Sequence, residues 1–298
     1  MMLPPESLAL GAAACWATAS LFSASASAHM GAFAFSRWRM GFASVILWGL
    51  ALVGGGWHSL GREALGLLAL SGLIGIFIGD TALFACMNRL GPRRSGVLFA
   101  THALFSACFA WVFLDEVQTG WTLLGCGLLV SGVMLAIALG RRGDESHQWE
   151  QTRGRLAVGV ALGLLAALCQ SVATLMLKPL MTTGVDAVAA SAVRMTAAFA
   201  LHGVLLALGA QVARLRAPLR GRDALNTFLS AAVAMALGMT LILQAMREGD
   251  AGLVAVLSSV SPVLLLPLLW LVYQRRPALG AWLGAGMAVL GTALILGP

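Results

Sequence analysis

The sequence has 298 residues, of which 59% are hydrophobic and only 10% are charged, and its mean hydropathy is +0.89. This composition excludes a water-soluble domain and indicates an integral membrane protein. The formal net charge of +7 does not indicate nucleic-acid binding, because most basic residues stand in short polar breaks between apolar runs. We therefore expect a lipid environment and no nucleic-acid partner.

Ten apolar runs follow one another along the chain. A bilayer core of about 30 Å needs roughly 20 residues per helix, so each run can cross it. We predict an all-α integral membrane protein with ten transmembrane helices. The predicted spans cover residues 8–28, 34–53, 64–87, 94–114, 119–139, 156–177, 187–210, 224–246, 251–272 and 278–296. A polar linker, residues 141–154, divides them into a first half (1–140) and a second half (155–298).

The second half repeats landmarks of the first at offsets between 154 and 159 residues. Cys15, Arg39, Met40, Gly79, Thr81, Met87, Gly125 and Gly132 recur as Cys169, Arg194, Met195, Gly238, Thr240, Met246, Gly284 and Gly291. Each copy holds five predicted spans, an odd number, so the second copy must cross the membrane in the opposite direction. The sequence thus predicts two inverted five-helix repeats, an architecture in which a midplane site opens to alternate sides.

Across nearly its whole length the chain resembles the EamA-type ten-span carriers of the drug/metabolite transporter superfamily. Members often carry an arginine in the second span of each copy, matched by Arg39 and Arg194. They also carry an acidic residue before a Gly-rich span, matched by Glu116 ahead of Gly125, whereas the second copy has Arg275 at the position of Glu116. The resemblance implies a carrier of metabolites, such as amino-acid derivatives, or of drugs, with both termini in the cytoplasm.

The distribution of basic residues gives the opposite orientation. Most of the 19 Lys and Arg residues fall in breaks on the membrane side away from the termini. Short loops rich in Arg and Lys stay in the cytoplasm. The charge distribution therefore predicts that both termini lie outside, in conflict with what the resemblance implies.

Few ionisable groups lie at membrane depth, where each costs about 2.5–3.5 kcal/mol and should face a cavity or a partner. Asp80 is the acidic residue well inside a span, so it could couple transport to protons or bind a cationic group; an ion pair is the alternative. His102 could titrate near neutral pH and line the path. Arg39 and Arg194 could bind a substrate carboxylate or have one architectural role in both copies. Lys178 is a secondary coupling candidate that could instead reach the membrane interface.

Two further residues could line a cavity. Trp16 corresponds to Gln170 at an offset of 154 residues, so the first helices of the two copies would present an aromatic face and an amide. A tryptophan in a span often faces lipid instead. For His202 we expect a hydrogen bond across a helix interface.

These features predict a secondary active transporter of small metabolites or drugs, an exporter in the cell (inner or plasma) membrane, acting as a monomer or homodimer. Asp80 and His102 offer a proton route if transport is coupled. We expect no enzyme activity, cofactor or metal, because the sequence has no P-loop, zinc-protease or serine-hydrolase motif, and its five cysteines show no C-x-x-C spacing. An integral-membrane enzyme or lipid-handling protein, and a non-transporting scaffold, are the alternatives.

Overall fold

The computed structural model describes residues 3–116, 120–139, 154–218, 220–273 and 278–296. Within these ranges every regular element is helical and no strand is present. The predicted linker lies outside the described residues except for Gly154, and Arg275 lies outside them as well.

The described residues form α-helices that we number in chain order, joined in two places by π-helical segments. They are α1 (Pro5–Met30), α2 (Ala32–Val53), α3 (Arg62–Ser71), α4 (Thr81–Ala100), α5 (His102–Leu114), α6 (Gly120–Ala138), α7 (Leu156–Leu175), α8 (Lys178–Thr182), α9 (Ala187–Ala207), α10 (Gly221–Ser230), α11 (Met239–Glu248), α12 (Ala251–Ser258), α13 (Ser261–Tyr273) and α14 (Leu279–Leu296). The π segments are Gly72–Asp80, between α3 and α4, and Ala231–Gly238, between α10 and α11.

Seven helical stretches in the described chain are long and apolar enough to cross a membrane. They are Pro5–Met30, Arg62–Gly91, Arg94–Leu114, Leu156–Thr182, Ala187–Ala207, Gly221–Glu248 and Ala251–Leu268. The described chain also contains two shorter apolar helices, Gly120–Ala136 and Leu279–Ile295, and the helix α2. The prediction of an all-helical protein with several membrane spans is confirmed, while the count of ten stays a prediction.

The break predicted between the third and fourth spans is a kink inside α4. Gly91 interrupts this helix with a φ of 81° and a ψ of 162°, a conformation that glycine adopts without the steric penalty of a side chain. The chain thereby turns from the stretch that begins at Arg62 into the stretch that continues through α5.

The helices pack in pairs that are preserved when the two halves are exchanged. Helix α1 packs on α10, on the second π segment and on α11, and the corresponding helix α7 packs on the first π segment and on α4. Helix α2 packs on α9 and α6 packs on α14, so each of these helices faces its own counterpart. Helix α5 packs on α12, which lies in the stretch that corresponds to its own. The repeat in the sequence is therefore a repeat in the packing.

Individual contacts follow the same rule. A Cβ added to Gly79 would lie 2.9 Å from the Cβ of Cys169, and one added to Gly238 would lie 3.2 Å from the Cβ of Cys15. These are one contact seen twice, because Gly238 and Cys169 are the counterparts of Gly79 and Cys15. Small residues at both places let the backbones approach closely, which drives helix association in lipid.

The contact between α6 and α14 is the closest of these pairings. A Cβ on Gly125 would lie 2.8 Å from the carbonyl oxygen of Gly291, and one on Gly132 would lie 2.6 Å from that of Gly284. The two contacts are again related by exchange of the halves. Neither helix leaves room for a side chain at these positions.

We expect Gly284→Ala to lower the melting temperature of the purified protein in detergent. The new methyl group would overlap the backbone of Ala136, and overpacking of this kind costs about 1–3 kcal/mol. Gly286→Ala on the same helix is the matched control, because a Cβ there meets nothing within 4 Å. Equal melting temperatures for the two variants would contradict the proposed role of the close contact.

Candidate functional site

A π-helical segment stands at the same place in each half. The segments begin at Gly72 and at Ala231, 159 residues apart, as the glycine repeat requires. The first packs on α7 and α9 and the second on α1 and α2, so each one contacts the first two long helices of the opposite half. Interruptions of this kind inside α-helices are frequent at functional sites. The candidate residues Asp80, Arg194 and Trp16 all lie in or against these two segments.

Arg39 and Asp80 form an ion pair inside the first half. Nη1 of Arg39 donates hydrogen bonds to Oδ1 and Oδ2 of Asp80 at 3.2 and 3.0 Å. The two side chains are 5% and 13% exposed, so the pair is almost completely removed from solvent. The ion pair given above as the alternative for Asp80 is therefore present, and it brings two of the candidate residues together.

Two aromatic rings pack around the Arg39 guanidinium. Its central carbon lies 5.2 Å from the ring centroid of Phe84 and 5.8 Å from that of Phe35. Distances of this size allow cation–π attraction, which is strongest where water is absent. The rings of Phe35 and Phe84 also contact each other edge to face, with centroids 4.7 Å apart. The arginine is thus held by one carboxylate and two ring faces.

Arg194, the counterpart of Arg39, has a different environment. Its side chain is 0% exposed, and Nε, Nη1 and Nη2 have no hydrogen-bond partner among the described residues. Nη2 lies 3.5 Å from the position that a Cβ on Gly75 would occupy. The counterpart of Asp80 is Met239, so the second half has no carboxylate at the place where the first half neutralises its arginine.

Trp16 and Gln170 occupy equivalent places but make different bonds. Nε1 of the half-buried Trp16 donates to the carbonyl oxygen of Ala234 in the second π segment at 3.2 Å. The same atom would lie 3.0 Å from a Cβ on Gly238. Nε2 of Gln170 donates to Oγ1 of Thr174 on its own helix at 3.2 Å. The hydrogen bond of Trp16 therefore joins the two halves, whereas the one that Gln170 donates stays within its own helix.

The other coupling candidates lie apart from the ion pair. His102 is 4% exposed; its ring lies 5.0 Å from that of Phe99, and its carbonyl oxygen accepts from Oγ of Ser171 at 2.8 Å. Within the described residues no hydrogen bond joins His102 to Asp80. Nζ of Lys178 donates to the carbonyl oxygens of Met246 and Gly249 at 2.9 and 2.6 Å. A cation at the carboxyl end of α11 stabilises that helix terminus.

His202 makes the interhelical hydrogen bond expected of it. Its Nε2 lies 3.2 Å from Oγ1 of Thr81, which links α9 to α4, and its ring packs at 4.7 Å on that of Phe77. Thr81 is a landmark of the repeat, yet its counterpart Thr240 lies 3.4 Å from Oγ of Ser191 instead. The same threonine therefore bridges to a different group in each half.

At one end of the bundle the halves meet through residues that the sequence did not single out. Nδ1 of His29 lies 2.8 Å from Oδ2 of Asp223, within ion-pair distance although off the line of a hydrogen bond. Nη1 of Arg37 donates to the carbonyl oxygen of Ala213 at 2.7 Å. The backbone N–H of Arg216 donates to the carbonyl oxygen of Met30 at 3.2 Å, so both charged side chains and backbone join the halves there.

At the opposite end a carboxylate caps a helix of the other half. Oε1 and Oε2 of Glu116 accept from the backbone N–H groups of Ala251 and Gly252 at 2.8 and 2.9 Å. This satisfies two of the unpaired donors that begin α12 and places negative charge at its positive end. Ser59 Oγ also accepts from the backbone N–H of Asp186 at 2.9 Å. The two halves are therefore in contact at both ends of the bundle.

Residues 3–138 and residues 157–297 each match the EamA-like transporter family. The chain belongs to this family. It is accordingly a multi-pass membrane protein of the drug/metabolite transporter type with a two-repeat architecture, and the resemblance stated from the sequence is confirmed. Small-molecule substrates and a lipid bilayer are the partners that membership implies.

Among solved structures, the chain is similar to a protein known from a crystal structure, with 17% sequence identity and a TM-score of 0.77. The match covers 98% of this chain and 96% of the other, so the two share a fold over their full lengths. The comparison with curated proteins found no match.

Replacing one member of the Arg39–Asp80 pair should destabilise this EamA-like protein more than replacing both. Arg39→Met leaves a buried carboxylate without a partner and Asp80→Leu leaves a buried cation, each at a cost of about 3–5 kcal/mol. The double variant removes both charges, so its melting temperature should lie well above that predicted by adding the two losses. Additive losses in this double-mutant cycle would show that the two side chains do not act as a pair.

Proposed function

We propose that this chain is a secondary active exporter of small metabolites or drugs in the cell membrane, with ten spans in two inverted five-helix repeats, residues 1–140 and 155–298. The observation that carries the proposal is the packing that is preserved when the halves are exchanged, in which α1 and α7 each pack on the π-containing span of the opposite half. Copies with an odd number of spans and this relation have a pseudo-two-fold axis in the membrane plane. The protein works as a monomer or homodimer.

Alternating access follows from this arrangement. Two similar bundles that face each other can expose a midplane site on either side by rocking about their common axis. The contacts between halves at the two ends, such as His29 with Asp223 and Glu116 with Ala251, would then open in turn. Each of these contacts joins a polar side chain of one half to a group of the other half.

Asp80 is the residue that we propose for proton coupling. Protonation would remove its negative charge and with it the attraction to Arg39, which lies on α2, while Asp80 ends the first π segment. Both elements pack on α9 of the second half, so loss of the pair would change how the halves fit together. His102, which the sequence placed with Asp80 in a proton route, and the secondary candidate Lys178 rank below Asp80, because neither is hydrogen-bonded to the pair within the described chain.

Transport in proteoliposomes tests this function. A panel of amino acids and drugs should include solutes whose flux depends on an imposed pH gradient, and Asp80→Asn should abolish that dependence because an amide cannot carry the proton. Asp186→Asn is the control, since Asp186 caps α9 at its amino end and asparagine caps a helix equally well. Its flux should match that of the wild type.

Other outcomes would change the assignment. Flux that ignores both the gradient and Asp80→Asn would indicate a uniporter or exchanger and contradict proton coupling at this residue. The absence of flux for every solute would favour an integral-membrane enzyme, a lipid-handling protein or a scaffold.

The orientation of the termini is a separate prediction, and it follows from the basic residues concentrated on the membrane side away from them. Short basic loops remain cytoplasmic, so the C-terminus should lie outside. A reporter enzyme that is active only outside the cytoplasm should therefore be active when it is fused to the C-terminus. A fluorescent protein that matures only in the cytoplasm should be dark in the same position. The reverse pattern would support the cytoplasmic termini implied by the family.

A further inference from the structure

Among the residues that the structure describes, Arg194 is a buried cation whose charge is not balanced by a carboxylate. The guanidinium of Arg194 is fully buried, and its three nitrogens have no hydrogen-bond partner in the described part of the chain. An ionised group removed from water without a partner is among the most costly features that a fold can contain. At the equivalent position of the first half, the charge of Arg39 is balanced by the carboxylate of Asp80, 3.0 Å away.

The second half cannot supply the missing carboxylate itself. Met239 stands at the place of Asp80, and the acidic residues of this half are Asp186, Asp223, Glu248 and Asp250, which flank the helices at their ends. The first half offers Asp80, but both of its oxygens are already bonded to Arg39. One unit of negative charge is therefore lacking beside Arg194.

The surroundings of Arg194 are small and apolar. Gly75 lies beside Nη2, and a Cβ on Gly75 would come within 2.6 Å of the Cβ of Ala173. On the other side the backbone of Arg194 is so close to Gly72 that a Cβ there would lie 2.5 Å from its carbonyl oxygen. A flat guanidinium against helix backbone presents its donors in a fixed fork, which matches the two oxygens of a carboxylate.

We propose that Arg194 binds the carboxylate of the transported substrate, a small organic anion with an apolar body. The assignment rests on the proposed transport function and names its substrate class. Because Arg194 is 0% exposed, the anion reaches it when the halves move apart at one end. The bound carboxylate supplies the negative charge that Met239 does not.

Binding is measured by the shift in melting temperature of the purified full-length protein in chloride-free detergent buffer, with no gradient. Three probes share an apolar body and differ in charge: phenylacetate, 2-phenylethanol and 2-phenylethylammonium. Phenylacetate should raise the melting temperature in a saturable manner, because a ligand that binds only the folded state stabilises it. The alcohol and the ammonium compound should have no effect, and sodium chloride tests whether any monovalent anion suffices.

Arg194→Met should raise the apparent Kd for phenylacetate about ten- to a hundredfold, as expected for loss of charge-assisted hydrogen bonds. Arg194→Lys keeps the positive charge and is the second variant in case Arg194→Met does not fold. It should bind phenylacetate detectably but more weakly than the wild type, because an ammonium group lacks the planar fork of a guanidinium. Arg247→Met is the matched control. Arg247 lies at the end of α11 with its side chain bonded to Gln244 at 3.4 Å, and its replacement should leave the Kd unchanged.

Three results would overturn the assignment: equal shifts for all three probes, an equal shift for chloride, or wild-type affinity in both Arg194 variants. The first would indicate a purely apolar site, the second an inorganic anion, and the third a guanidinium with a structural role only. The outcome is distinguishable from a failure of the proposed function. If transport is absent while binding through Arg194 holds, the exporter assignment falls and the carboxylate site remains.

Discussion

The fold depends on close backbone contact between helices of opposite halves. Lipid tails are as apolar as leucine side chains, so helices in a bilayer gain little from burying apolar surface and associate through tight packing of small residues. Gly79 against Cys169 and its counterpart Gly238 against Cys15 provide this packing around the two π segments. Each of these contacts takes one residue from each half, so it forms only when the two halves pack together. One copy of the repeat alone would lack this packing.

The proposed function, in contrast, rests on positions at which the copies differ. Arg39 and Arg194 are the same residue at the same place, yet only the first has an acidic partner, Asp80. Likewise Trp16 bonds to the opposite half, whereas the hydrogen bond that Gln170 donates stays within its own helix. The first half therefore contains a neutral ion pair, whereas the second contains an arginine without a carboxylate partner among the described residues. The roles that we propose for Asp80 and Arg194 both rest on this difference in charge.

The sequence predicted the helical class and the two-repeat organisation, because apolar runs and residue offsets carry this information directly. It could not predict the π segments, since Gly72–Asp80 and Ala231–Gly238 are apolar on nearly all sides and give no periodicity that distinguishes one helix type from another. For Asp80 the sequence offered an ion pair as one interpretation but did not identify the partner, because Arg39 lies on a different helix. Glu116 was noted only as a family match, because its role as the cap of α12 arises from contact across the halves.

The polar contacts at the two ends differ in kind, and this difference bears on how the bundle could open. At one end His29, Arg37 and Asp223 bring ionisable side chains to the contact. At the other, Glu116 and Ser59 accept hydrogen bonds from backbone N–H groups. The first kind of contact joins side chains of the two halves, whereas the second holds the amino end of a helix, where the first N–H groups have no partner within the helix. Separating the halves at the first end therefore breaks contacts of the side chains of His29 and Arg37, whereas separating them at the second end also leaves the first N–H groups of α12 without the carboxylate of Glu116.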